Sequence, residues 1–200
     1  VWLILDPSHE DSLNNQLESL LEQYGHVVSD LPDSVSIDDS KGPVCIDDRA
    51  SIGECVRIEG PCYIGPNAEV RHGAYIRPYT WLCCNSVVGH ASEVKHSLLL
   101  PGAKAPHFNY VGDSILGSGV NLGAGCKLSN LRNDERNVWV RGLGESVDSG
   151  LRKFGALLGE NVQIGCNAVC NPGVILGSDC NVWPNVTVSG AHAAGTTLRE

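Results

Sequence analysis

Aliphatic residues recur at every sixth position along most of the chain. The series runs Ile46, Ile52, Ile58, Ile64, Val70, Ile76, Leu82, Val88, Val94 and Leu100. It resumes at Leu116, Leu122 and Leu128, and again at Leu158, Ile164, Cys170, Leu176, Val182 and Val188. A period of six is neither that of a helix nor a strand alternation, so each unit must be one short strand and one corner. Three such units close a triangular coil, and stacked coils make a prism, an all-β parallel β-helix. The recurring aliphatic then points inward, and the position two before it sits at a tight corner that admits only small or β-branched side chains. Ala50, Val56, Cys62, Ala68, Ala74, Thr80, Ser86, Ser92, Val162, Ala168, Val174, Cys180 and Val186 occupy that slot.

The ends and two breaks depart from the pattern. Leu13, Leu17, Leu20 and Leu21 have helical spacing between Ser12 and Gly25, which predicts a short amphipathic helix that caps the open end of the prism. The reading therefore divides the chain into a helical arm or cap over residues 1–40, the β-helix over 41–190 and a tail over 191–200. Residues 103–110 and 129–155 interrupt the register and are expected to leave the prism as loops, where solenoids often build binding faces.

Composition narrows the function classes. The 200 residues suit one domain, and a net charge of −9 argues against a nucleic-acid footprint. No apolar run approaches the roughly 20 residues of a membrane helix, and no signal pattern opens the chain. A cytoplasmic protein with no membrane partner is expected. The nine cysteines form no metal-type Cys-x-x-Cys pair. Several fill small-residue slots, so reduced structural thiols are expected.

Candidate chemistry lies on the repeat and in its breaks. Arg77 and Lys95 each follow an inward aliphatic and stand 18 residues apart, one coil, which stacks them roughly 4.8 Å apart on one face. Two stacked cations need an anion. A bound phosphate would serve, and so would Glu59, which holds the same slot one coil earlier; the spacing does not choose between them. His107 lies in the first break and is a candidate base for an attacking amine. His72, His90 and His96 share the third hexad position and raise the question of a bound metal, but they do not reproduce the ligand arrangement of the gamma-class carbonic anhydrases, and no metal site is expected.

Several segments together resemble a known family. Glu93-Val94-Lys95, K-A-P-H-F-N-Y-V-G-D (Lys104 to Asp113), V-N-L-G-A-G (Val120 to Gly125), Ser129-Asn130 and K-F-G-A-L-L-G (Lys153 to Gly159) follow in order the acetyltransferase half of bifunctional glucosamine-1-phosphate acetyltransferase/N-acetylglucosamine-1-phosphate uridyltransferase. N-L-R-x-D-E at Asn130 to Glu135 is similar to the related sugar-1-phosphate nucleotidylyltransferase/amino-sugar acetyltransferase proteins. The resemblance spans about residues 45–190.

It implies a left-handed prism, a homotrimer with sites between subunits, and acetyl transfer from acetyl-CoA to the amino group of a hexosamine 1-phosphate without a metal. By the same resemblance Arg77, Lys95 and Tyr110 would bind the sugar phosphate and His107 would be the general base. Asn121 and Asn130 would hold the sugar or orient the imidazole, and Lys153 would add a substrate contact. Ala124 and Cys166 would line the acetyl-CoA site, and amides of Gly123 to Gly125 would stabilise the oxyanion. Residues 1–45 carry no Gly-rich nucleotide-binding motif, so nucleotidyl transfer is not expected of this chain. The competing reading is a catalytically silent trimeric partner of a sugar-1-phosphate nucleotidyltransferase.

Overall fold

The computed structural model describes residues 2–24 and 31–199. Gly25, the expected helix stop, lies outside the described residues.

The six-residue pattern folds into three parallel eight-stranded sheets, which form the faces of one prism. The first face carries Ser36–Asp38, Arg57–Glu59, Tyr75–Ile76, Glu93–Lys95, Tyr110–Gly112, Lys127–Leu128, Val169–Cys170 and Thr187–Val188. The second runs from Val44–Ile46 to Ala191–His192, and the third from Ser51–Ile52 to Thr197–Leu198. Each strand pairs with its equivalent one coil away, as Ile58 does with Ile76 and Ile76 with Val94. The inward aliphatics and the small slot residues Val56, Cys62, Ala68 and Ala74 make one continuous buried core. Burial pushes the Cys126 thiol up to about 11, as expected for a thiol used as packing.

Four boundaries differ from the sequence reading. Residues 103–110 do not leave the prism. Lys104–His107 and Tyr110–Gly112 are regular strands of the third and first faces. The inward residue after Val94 is Leu99, five positions on rather than six, and after Val111 it is Leu116. Two corners are each one residue short, so a count held at six lost the register and made a strand look like an insertion. Leu100 is consequently only half-buried, while Leu99 is inside. The tail also continues the prism, since Ala191–His192 pairs with Val174–Leu176 and Thr197–Leu198 with Asn181–Val182. At the other end, Ser36–Asp38 already pairs with Arg57–Glu59 inside the segment expected to be arm.

The arm itself lies along the second face, not over the open end. Ser12 caps the helix Leu13–Tyr24, its Oγ accepting the Asn15 N–H at 3.2 Å. Leu17 and Leu21 pack on Cys45 and Tyr63, while Leu5 and Leu13 join Phe154, Val138 and Leu151 from the 129–155 insertion. The cause is an outward column on the second face, Cys45, Tyr63, Trp81, Leu98, Ile115, Leu157 and Ile175, which is apolar on every coil it crosses. Leaving such a stripe in water would cost about 25 cal/mol for each Å². The insertion carries the antiparallel hairpin Trp139–Leu143 and Glu145–Asp148. No helix among the described residues is long and apolar enough to cross a membrane.

Candidate active site

The corner between the first and second faces meets the arm and the insertion at a cleft of about 490 Å³. Arg77, Lys95, His96 and Asp113 come from the prism, Leu5, Pro7 and Asn14 from the arm, and Leu151, Arg152 and Lys153 from the insertion. The two shortened corners place His96 and Asp113 here, both at positive φ, 43° and 47°. That backbone region is one that histidine and aspartate enter more readily than most residues but still at a cost.

Asp113 is the hub. Its carboxylate accepts from Lys95 Nζ at 3.0 and 2.9 Å, from His96 Nδ1 at 2.8 Å, and from the side-chain amide of Asn130. Burial alone would raise its pKa. The His96 hydrogen bond, the Lys95 charge and the Asn130 amide outweigh that and hold it at about 2. Tyr110 donates its hydroxyl to Asn130 Oδ1 at 3.4 Å, and burial raises the pKa of that phenol. Arg77 donates Nη1 to Glu93 Oε1 at 2.8 Å. Arg77 also lies 5.7 Å from the Tyr75 ring centre.

The sequence left the counter-ion of the two stacked cations open, and the structure supplies protein anions for both. They are Glu93 for Arg77 and Asp113 for Lys95. Glu59 is occupied with Arg57 and the Tyr75 hydroxyl. One valence remains open, because Arg77 Nε is buried with no partner among the described residues. Lys41, Arg77, Lys95, Arg152 and Lys153 outnumber the carboxylates Glu59 and Asp113 around the cleft, on a chain whose net charge is −9. An anionic ligand is what such a cleft attracts.

Arg77, Lys95, Tyr110, Asn130 and Lys153 are thus gathered at one corner. His107, Asn121, Ala124 and Cys166 are not; they belong to the third face and the corner that follows it. His107 is an exposed strand end paired with His90. Asn109 clamps it, accepting the His107 N–H through Oδ1 at 2.9 Å and donating Nδ2 to the Gly123 carbonyl at 2.8 Å. Ala124 and Cys166 stack one coil apart, the Asn167 N–H meeting the Ala124 carbonyl. The Gly123 and Gly125 amides donate to the carbonyls of Ile164 and His107 at 2.6 and 2.9 Å, so the oxyanion role expected for that stretch cannot fall to these two. His72 and His90 stack at 5.3 Å, whereas His96 lies at a different corner.

Sequence reasoning gave no role to Asp113, Glu93, Asn109 or Asn14. Asp113 was visible as the residue 18 positions after Lys95, the same one-coil spacing that stacks Arg77 and Lys95, although the short corner sets Gly112 and not Asp113 directly opposite Lys95.

Residues 58–164 match the family model described as the GMPPB C-terminal domain. The chain belongs to that family. Residues 155–190 also match the bacterial transferase hexapeptide model of six repeats, consistent with a left-handed parallel β-helix, and the resemblance read from the sequence motifs is borne out. The chain is 41% identical over 166 residues to a bifunctional sugar-1-phosphate nucleotidylyltransferase/acetyltransferase from Sulfurisphaera tokodaii, covering 83% of this chain and 41% of that protein. It is 46% identical over 107 residues to the bifunctional protein GlmU of Methanocaldococcus jannaschii, covering 54% of this chain and 26% of that one. It therefore spans less than half the length of these relatives.

Proposed function

We propose that the chain transfers the acetyl group of acetyl-CoA to the amino group of a hexosamine 1-phosphate, gluco or galacto. The observation that carries this reading is a cleft lined by Lys41, Arg77, Lys95, Arg152 and Lys153 against two carboxylates, Glu59 and Asp113. A sugar phosphate offsets that excess charge, and a planar guanidinium suits phosphate oxygens. The acetyl half of the reading is supported by relatives whose names include acetyltransferase.

The amine nitrogen attacks the thioester carbonyl, the C–S bond breaks, and the sulfur leaves as a thiolate that takes up a proton. His107 accepts the proton from the attacking nitrogen, with Asn121 on the same face, opposite Lys104 of the His107 strand. Arg77, Lys95, Tyr110, Asn130 and Lys153 hold the sugar phosphate, and the Ala124–Cys166 column receives the donor. Because His107 and the cleft occupy different corners of one prism, the working site takes His107 from one protomer and the cleft from its neighbour in a homotrimer.

The test compares Arg77→Ala with the native protein. Loss of a contact made in both ground and transition states raises KM for the sugar phosphate and leaves kcat nearly unchanged. A KM unmoved by that substitution contradicts the assignment of the cleft.

A further inference from the structure

Asp113 has no free lone pair to offer a substrate. A carboxylate has about four acceptor sites, and four contacts occupy them, two from Lys95 Nζ, one from His96 and one from Asn130. It is 4% exposed and ionised throughout the neutral range. Such a group neither gives nor takes a proton; what it can do is hold its partners still. His96 is in the same position. It is 7% exposed, its Nδ1–H donates to Asp113, its Nε2 meets the Asn14 side chain at 2.8 Å, and its ring stands edge-on to Tyr79 at 6.1 Å. Neither nitrogen is available as a base.

We propose that Asp113 and His96 are positioning residues that set the place of the Lys95 ammonium in the cleft, and that Asn14 makes the N-terminal helix part of that device. The chain of contacts runs Asn14, His96, Asp113, Lys95 and crosses from the arm to the cation in three hydrogen bonds. A lysine on a flexible four-carbon stem is a poor fixed point unless its ammonium is tethered. Two hydrogen bonds to one carboxylate tether it, and His96 and Asn130 keep that carboxylate from rotating. Leu5 and Pro7 from the same arm line the cleft, so displacing the arm both opens a wall and loosens the tether. The substrate part of this inference rests on the acetyltransferase reading; the tether does not.

The experiment measures acylation of individual lysines by acetic anhydride at neutral pH, with peptide mapping, in the native protein and in His96→Asn, Asp113→Asn and Asn14→Ala. Asparagine tolerates the positive φ of both corners, so the first two keep the backbone. Lys41 and Lys153, exposed and in no ion pair among the described residues, serve as internal controls. Lys95 labelling rises about tenfold in His96→Asn and Asp113→Asn, the change expected for losing one charge-assisted hydrogen bond, and rises less in Asn14→Ala. The controls do not move. In turnover assays His96→Asn raises KM for the hexosamine phosphate with kcat within about twofold, the split that marks a ground-state positioning role. Unchanged Lys95 labelling in the folded His96→Asn and Asp113→Asn variants overturns the proposal. A native protein that does not turn over the sugar phosphate contradicts the acetyltransferase reading instead, and the labelling ratio still decides the tether.

Discussion

Lys95 Nζ lies 3.0 and 2.9 Å from the two carboxylate oxygens of Asp113, across a corner of the prism that is one residue shorter than the repeat. The pair is largely out of water, with side chains 19% and 5% exposed. Removing one member of a pair so enclosed leaves an uncompensated charge. Asp113→Ala should therefore lower stability by about 3 kcal/mol, read as a shift of the urea midpoint at unchanged slope. A shift no larger than that of an exposed ion pair would mean that the carboxylate is replaceable by water.

The same carboxylate sets an acid limit. Its pKa falls from 3.8 unfolded to about 2 folded, so its contribution is complete above the unfolded value and is lost as pH drops through the folded one. The amount is roughly 2 kcal/mol. Chemical denaturation from pH 6 to pH 2 should show stability falling between about pH 4 and pH 2, and Asp113→Asn should flatten that segment. An equally steep fall in the variant would assign the acid sensitivity to other groups.

Gly112 pairs with Lys95 on the first face, and a Cβ there would sit 2.7 Å from both the Asn130 Nδ2 and the Tyr110 hydroxyl. Gly112→Ala should cost about 1–3 kcal/mol as an overpacked site and weaken phosphate binding by pushing Asn130 off Asp113. Calorimetric titration with glucosamine 1-phosphate, beside a thermal melt, checks both. A variant that melts and binds as the native protein does would show that the Tyr110–Asn130–Asp113 chain yields without consequence.

The prism was legible because its constraint is local: a buried aliphatic and a small corner residue must recur on every coil, whatever lies outside. Arg77 and Lys95 were legible for the same reason, since one coil of spacing stacks them. The corner conformation of Asp113 and His96 was not, because it depends on corners shortened by one residue, and a five-residue step such as Val94 to Leu99 leaves no mark in a pattern counted in sixes. The position of the arm was legible and was missed. Tyr63, Trp81, Leu98 and Leu157 form an outward apolar stripe that demands a cover, and that cover is Leu13, Leu17 and Leu21. The gap between His107 and the cleft lies beyond one sequence, for the proposed reading closes it between copies and not within a chain.

His107 is exposed at a strand end and contributes nothing to the core, so His107→Ala should leave the melting temperature unchanged. If it is the base, turnover should drop about 10²- to 10⁴-fold. Near-native turnover at saturating acetyl-CoA would make it a bystander. Mixing His107→Ala with Arg77→Ala subunits at sugar phosphate far below the raised KM sharpens the test, because a site shared between protomers regains activity above the sum of the two variants in mixed trimers and a site within one chain does not.

The most direct measurement is release of free CoA thiol by the native protein with acetyl-CoA and, in turn, glucosamine 1-phosphate, galactosamine 1-phosphate and the two sugars without phosphate. Stoichiometric thiol release and N-acetylated product with at least one hexosamine 1-phosphate, and a kcat/KM lower by about 100-fold or more for the unphosphorylated sugar, is the predicted result, since the cationic cleft then has no anion to bind. Equal rates with and without the phosphate, or no thiol release above background with either hexosamine 1-phosphate, would contradict the account.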